Sequence, residues 1–583
     1  MRIVGWAESP KRIAIAGVLV AIFLHDLLPH PSYHPPWGDL LYFQFLWSAG
    51  RTIWTTYGQM PFWNPYQCGG MVELGNVHSM AWSPFFLPAL VFDAGTSIRI
   101  FILLHFVIAF LGMWSWARQR GIADPWAIAP AIAFAMCGFF TARAVGHLSF
   151  LPFAWVPWLL LLHERAQLER RWGFVIGALI ALCLYSGGPY PTTFGVLLIV
   201  ALTVRDLAAA ALGRVRGAQA VDWTGPVVIA VLAALGFLLV GAFKLGPTLE
   251  YMRAHPRAMP VGADSLGLGE LVDILLYRPF TRDRPGYAFP FDEYRAYVGP
   301  GVVLGVLLTL LHGRARWRDV AIVGFFTALV LGDHGPLSPY TLLHALPGFS
   351  SQRVPSRYVI LVLPFLALWF GQALADIAGP RLDHEGRTRW RTWFAAIALL
   401  ATFVDLTLSN TVMLREWFTV PPPAITTPLT SAGHAFRQRT ETTTESSTTY
   451  IRAPLDGYGF LSCDLFEPNP PAMAPEIQTQ TDEPLEVSPF RGNQAQIVRF
   501  TPNRVEVDVD FSQDASLVLN ENYYPGWASD FGPAYERGGR AAFKVPAGKH
   551  TVVLAYRPVN VEIYAGLTAL GLVGVAVALF IRR

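Results

Sequence analysis

Residues 97–117 read SIRIFILLHFVIAFLGMWSWA, a predominantly apolar run of the roughly 20 residues needed to cross the hydrocarbon core of a bilayer. Runs of the same kind lie on either side of it, at about 13–28, 126–142, 148–162, 172–187, 190–205, 226–244, 298–311, 318–332, 356–376, 393–410 and 561–580. About twelve spans are therefore expected. The composition of the 583 residues agrees: 53% are hydrophobic and only 15% charged, against about 25% charged in ordinary soluble domains. Mean hydropathy is +0.38, so a wholly soluble protein is excluded. The 19 Trp, 45 Pro and 51 Gly suit membrane helices and their interfacial aromatic belts. A net charge of +3 implies no basic surface for nucleic acid. Four Cys, with no CxxC or CxxxxH spacing, make neither a disulfide framework nor a zinc site.

Charge asymmetry gives an independent reading. With the N-terminus inside, the inner connections carry Lys11 and Arg12, then Arg118 and Arg120, then Arg165, Arg170 and Arg171, then Arg205, Arg214 and Arg216. Arg314, Arg316 and Arg318 follow, then Arg381, Arg387, Arg389 and Arg391, and finally Arg582 and Arg583. The short outer turns near 143–147 and 188–189 hold one Arg between them, as the positive-inside rule requires. Both termini are then cytoplasmic. No small-residue cleavage site follows the first span, and His25 and Asp26 suit a retained helix end.

All long segments fall on the opposite, outer side: 29–96, 245–297, 333–355 and a polar block at 411–560. Loops this long between packed elements are usually functional. The polar block contains a Ser, Thr and Glu run, 440–449, that reads as linker. Beyond it the period becomes two: Val505, Val507, Val509 and Phe511 alternate with Glu506, Asp508 and Asp510, which describes a half-buried strand. Further strands are expected at 515–520, 541–545 and 550–557, forming a small antiparallel β domain of sandwich type. Tyr523, Tyr524 and Trp527 either stack on a sugar ring or pack a tight corner, the second being the commoner arrangement.

The first outer loop carries Trp37-Gly38-Asp39, then Met60-Pro61-Phe62-Trp63-Asn64-Pro65-Tyr66-Gln67-Cys68-Gly69-Gly70, Gly75-Asn76 and Ser83-Pro84. Later come Gly146-His147, Pro247-Thr248-Leu249-Glu250 followed by Arg257, Tyr297-Val298-Gly299, and Leu346-Pro347-Gly348-Phe349 with Arg353-Val354-Pro355-Ser356-Arg357. Tyr524-Pro525-Gly526-Trp527 and Pro546-Ala547-Gly548-Lys549-His550 close the series. This collinear set resembles the YfhO-like bacterial membrane proteins, which belong with the GT-C type of membrane glycosyltransferases. The resemblance covers nearly the whole chain. It implies a polytopic enzyme of the bacterial inner membrane that moves a sugar from a polyprenyl-phosphate carrier to an envelope glycan, lipid or protein outside the cytoplasm.

Such a reaction needs a general base for the acceptor hydroxyl, cations for the departing phosphate and a groove for the prenyl tail. Asp39 stands where the resembling family places its acidic residue and is the candidate base; its competing role is to cap a helix over 40–48. Asp26, at the outer end of the first span, is the second candidate. Arg353 and Arg357, four apart, are candidates for the carrier phosphate, although Pro355 leaves only Arg357 safely on a helix. His147 is a candidate ligand of a sugar or phosphate oxygen, or a structural donor. Glu73 and Glu293 are further outer carboxylates able to meet sugar hydroxyls or a divalent cation, and Asn64, Asn76 and Arg257 complete the set that the resemblance marks for substrate binding. Cys68 and Cys463, both expected outside, are candidates for a bridge.

The expected plan is a transmembrane domain over 1–410 with the large loop 29–96, a β domain over 411–560 and a last helix with a basic tail over 561–583. Two other functions compete. One is a transporter or flippase of lipid-linked glycans, against which stand the absence of an internal repeat and the scarcity of charge in the interior of the spans. The other is an assembly protein that binds glycans without catalysis.

Overall fold

The computed structural model describes residues 10–580, apart from 37, 216–221, 258, 260, 262–263, 280, 283, 380–386, 423–436, 440–446, 462, 464–484 and 488–492. Trp37, Arg216, Arg381, Arg582, Arg583 and most of the 440–449 run therefore lie outside the described residues.

Every one of the twelve apolar segments falls largely on helix. Six of the described helices are long and apolar enough to cross a membrane: Ala94–Gln119, Pro189–Val215, Thr224–Ala254, Pro355–Ala378, Arg389–Arg415 and Val561–Phe580. Trp172–Tyr185 and Gly299–Leu311 are apolar but shorter. The segment 126–142 is broken into Ile128–Ala135 and Gly138–Ala144. Gly138 explains the break: its N–H donates to the Tyr297 carbonyl at 2.8 Å, and a Cβ there would stand 2.8 Å from the Tyr297 nitrogen. The segment 148–162 opens as a 3-10 stretch, Leu148–Trp155, with Pro152 inside it, before Val156–Ala166 becomes α-helical. A proline removes the donor that an α-helical ladder would need there.

The loop 29–96 is packed, not open. Its helix Asp39–Thr55 buries nearly every residue from Leu40 to Ile53, and Trp63–Asn64 pairs with Met71–Val72 in a short antiparallel hairpin. The β domain docks on this hairpin. Two antiparallel sheets form it: Gln494–Thr501, Arg504–Phe511, Gly548–Tyr556, Trp527–Ser529 and Gly532–Pro533 in one, Leu485–Val487, Ala515–Asn522, Arg540–Val545 and Tyr535–Arg537 in the other. Val505, Val507, Val509 and Phe511 are buried on alternate positions, as a strand with one wet face requires. Cys68 and Cys463 form a disulfide. Trp63 donates its indole N–H to Glu521 Oε2 at 2.9 Å, and its ring meets those of Trp527 and Tyr556 at 5.2 and 4.8 Å. Trp527 is thus a packed corner, buried against the first loop, which rules out the sugar-stacking role for that ring.

Candidate functional site

Four segments bring charged side chains together. Asp39 is the first residue of the Asp39–Thr55 helix, His147 precedes Leu148–Trp155, Glu293 ends the turn Phe291–Glu293, and Arg357 lies in the turn Pro355–Tyr358 that leads into Val359–Ala378. Each sits at a helix or turn end because a charged side chain there can leave the apolar layer while its backbone stays hydrogen-bonded.

His147 is the centre. Its Nδ1 lies 2.6 Å from Asp39 Oδ2 and its Nε2 2.6 Å from Glu293 Oε1. Glu293 Oε2 in turn accepts from Arg357 Nη2 at 2.7 Å. Arg143 closes the far side, donating to the carbonyls of Asp292 and Glu293 at 2.7 and 2.6 Å. Burial alone would strip the proton from His147, but the two carboxylates outweigh it and raise its pKa to about 9, so at neutral pH both ring nitrogens donate. Burial likewise pushes Asp39 up, yet His147 and Arg357 leave it below the usual carboxylate range. Glu293 follows the same logic: Arg357 and His147 overcome burial and hold it well down. Asp39 keeps 20% of its side-chain surface open, so the chain of charges has a mouth.

The capping role of Asp39 is overturned. Gly38, at φ 90°, occupies the cap position, and the Asp39 carboxylate turns to His147 instead. Arg353 and Arg357 do not share a helix face. Arg353 precedes the turn, and Val354 between them adopts φ 61°, a costly conformation for a β-branched residue. Asp264 holds it there, accepting the Val354 N–H at 2.9 Å. The Arg357 guanidinium lies 4.8 Å from the centres of both the Phe150 and Tyr190 rings, whereas Arg353 rests on Phe289 at 5.0 Å.

Other expected site residues lie elsewhere. Glu73 is fully buried, accepting from Asn64 Nδ2 at 2.9 Å and from the Ser79 hydroxyl. Asn76 receives Lys244 Nζ on its carbonyl at 2.7 Å and offers its side-chain oxygen to the His78 N–H at 2.8 Å. Arg257 is half-buried, and its charge acts on His78. Asp26 accepts Arg415 Nε on both oxygens at 3.1 Å. Among the described residues no three His, Cys, Asp or Glu side chains form a metal-holding group, and His147 keeps Asp39 and Glu293 on opposite edges of its ring.

Sequence reasoning left out Arg143, Asp264 and His78, the last an imidazole on which both His147 and Asp39 act. Arg143 had a signal, as the one arginine in an outer turn against the positive-inside rule. Asp264 had none. It is buried, burial raises its pKa, and its Oδ1 has no hydrogen-bond partner among the described residues.

No family model matches the chain, and no curated protein matches it. Among solved structures, it is similar to the arabinofuranosyltransferase AftD from Mycobacteria at 16% identity and a TM-score of 0.40, over 70% of this chain and 28% of that one. It is also similar to ArnT from Cupriavidus metallidurans bound to undecaprenyl phosphate, at 14% identity and 0.39, over 71% of this chain and 77% of that one. The Archaeoglobus fulgidus oligosaccharyltransferase in complex with Zn and sulfate gives 12% identity and 0.38, over 78% and 62%. This chain thus spans under a third of the first structure's length and under two thirds of the third's. Likenesses this shallow carry no function; the site has to.

Proposed function

We propose that the chain is a glycosyltransferase of the GT-C type, taking a sugar from a polyprenyl-phosphate donor and giving it to an acceptor outside the cytoplasm. The observation that carries this reading is the Asp39–His147–Glu293–Arg357 chain, drawn from four distant segments to one partly open place. Its support from sequence is the collinear set of motifs shared with the YfhO-like proteins. In this reading about twelve spans leave both termini cytoplasmic in a bacterial inner membrane, the transmembrane unit runs over 1–410, and 411–560 is the outer β domain before the helix at 561–583.

Asp39 takes the proton of the acceptor hydroxyl as its oxygen bonds the anomeric carbon; the bond from that carbon to phosphate breaks, and the carrier leaves as the lipid phosphate. His147 holds Asp39 ionised throughout the neutral range, giving up some basicity for certain availability. Arg357 is committed on one side to Glu293 and braces the base from behind, which leaves Arg353, with no ion pair among the described residues, as the cation assigned in this reading to the departing phosphate. Glu73, Asn64 and Asn76 act in this scheme by holding the first loop in shape.

The test is to incubate the purified chain with a panel of polyprenyl-phosphate sugars and measure release of the lipid phosphate. Release that depends on an acceptor hydroxyl supports transfer. Carrier binding with no release, or movement of intact carrier between leaflets, would sink it in favour of an assembly protein or a flippase.

A further inference from the structure

A second polar place lies at the other end of the same helices. Tyr190, whose ring meets Arg357, and Arg205 sit on one helix, Pro189–Val215, fifteen residues and so about 22 Å apart. His147 and His163 mark the two ends of the neighbouring run in the same way. At the Arg205 end the structure holds a cavity of about 600 Å³, within the size range of small-ligand sites.

The charges on its wall are unevenly used. Arg120 holds both Glu164, at 3.2 Å, and Asp319. Arg205 holds Asp206 at 2.7 Å, whose other oxygen accepts from His163 and Gln167 at 2.9 and 3.1 Å. Asp222 is held by Arg170 at 2.9 Å. Every carboxylate on the wall therefore has its arginine. Arg316 and Arg318, which also line the cavity, are exposed and make no ion pair among the described residues, although the charge of Arg316 acts on Asp319 and the Arg318 guanidinium lies 5.8 Å from the Trp317 ring centre. Two forked donors are left facing a space kept open by Ala209, Ala210 and Gly213, and such donors fit a phosphate.

The surroundings say where that phosphate comes from. Val196, Val200 and Val204 form an exposed stripe at four-residue spacing on the helix that bears Arg205, 38%, 51% and 60% exposed, which is a surface for acyl chains. Trp317, 54% exposed beside Arg318, suits the headgroup level. Four arginines and four carboxylates line the cavity, so the part able to take an anion is the Arg316 and Arg318 corner, and such basic corners between membrane helices suit anionic lipid headgroups. We infer that this cavity is a second binding site, for the anionic, phosphate-bearing headgroup of a membrane lipid, with Arg316 and Arg318 as its anion donors. The inference rests on the helices spanning a membrane and is independent of sugar transfer.

The full chain in detergent would be titrated with short-chain phosphatidylglycerol, phosphatidylcholine and inorganic phosphate, with occupancy read by native mass spectrometry. One phosphatidylglycerol per chain is expected. Its affinity should fall at least ~10-fold in the Arg316→Ala/Arg318→Ala protein, whose lipid-free melting temperature should match the parent, and also in Ala210→Phe, which fills the space without touching charge. Phosphatidylcholine retained as tightly, or unchanged affinity in both variants, overturns the site. Inorganic phosphate binding as well as the lipid, with the same dependence on the arginines, overturns the lipid source and leaves a soluble phosphate.

Discussion

Two polar networks draw on the loop 29–96, and they are built from similar residues. One joins Glu73 to Asn64 and Ser79, with Asn76 and Lys244 beside it, and every member is fully buried. The other joins Asp39, His147, Glu293 and Arg357, and leaves close to a fifth of Asp39 and His147 exposed. In the first, both carboxylate oxygens of Glu73 accept from neutral donors of its own loop, so the network closes on itself. In the second, full charges face one another and the outermost carboxylate still looks out. A closed network staples; one that is charged and partly open can do chemistry.

Replacing Asp39 with Asn would break that contrast most directly. Shape is kept and basicity lost, so turnover per folded molecule should fall by about 10²–10⁴ with carrier binding near the parent, while melting falls because His147 loses one of the two carboxylates that hold its proton. Retained turnover would move the base elsewhere.

The pH dependence of stability sharpens it next. Folded His147 keeps its proton to about pH 9 against 6.5 for the free side chain. A raised value means that the contribution is complete below about pH 6.5 and is lost as pH climbs to about 9, on the order of 3 kcal/mol in all. The melting temperature should fall across that window in the parent and stay flatter in His147→Gln.

Glu73→Gln should act on stability alone. With its NH2 toward Asn64 the new amide sets donor against donor, and toward Ser79 it reverses that hydrogen bond and still removes the charge near Lys244; a mismatched buried group costs about 1–3 kcal/mol. Turnover per folded molecule should be unchanged; a selective loss of turnover would bring Glu73 back into the site.

The smallest effect is expected at Asp26. Its partner Arg415 is 65% exposed, and such pairs are worth about 0–1 kcal/mol. Asp26→Asn should leave both melting and turnover close to the parent, which would remove it as a candidate base.

How much of this was legible depends on range. The 97–117 run and the alternation from Val505 to Phe511 announce themselves, because burial of one face imposes a period on neighbouring residues. The break at Gly138 does not, since its cause is the approach of Tyr297, far along the chain. Asp39 and Arg357 could be picked out from the segments around them. That Glu293 stands between His147 and Arg357 could not be read from its own neighbours.

The order of apolar runs and the side on which arginines gather are written in the sequence alone, because partition between lipid and water acts on each segment separately. Which polar residues become staples and which a charged, partly open cluster was decided only by the fold. Glu73 and Glu293 looked alike as outer carboxylates; one met the amide and hydroxyl of its own loop, the other an imidazole 146 residues away and an arginine 64 residues away. The state of a buried charge depends on what surrounds it in space, and packing between distant segments alone sets that.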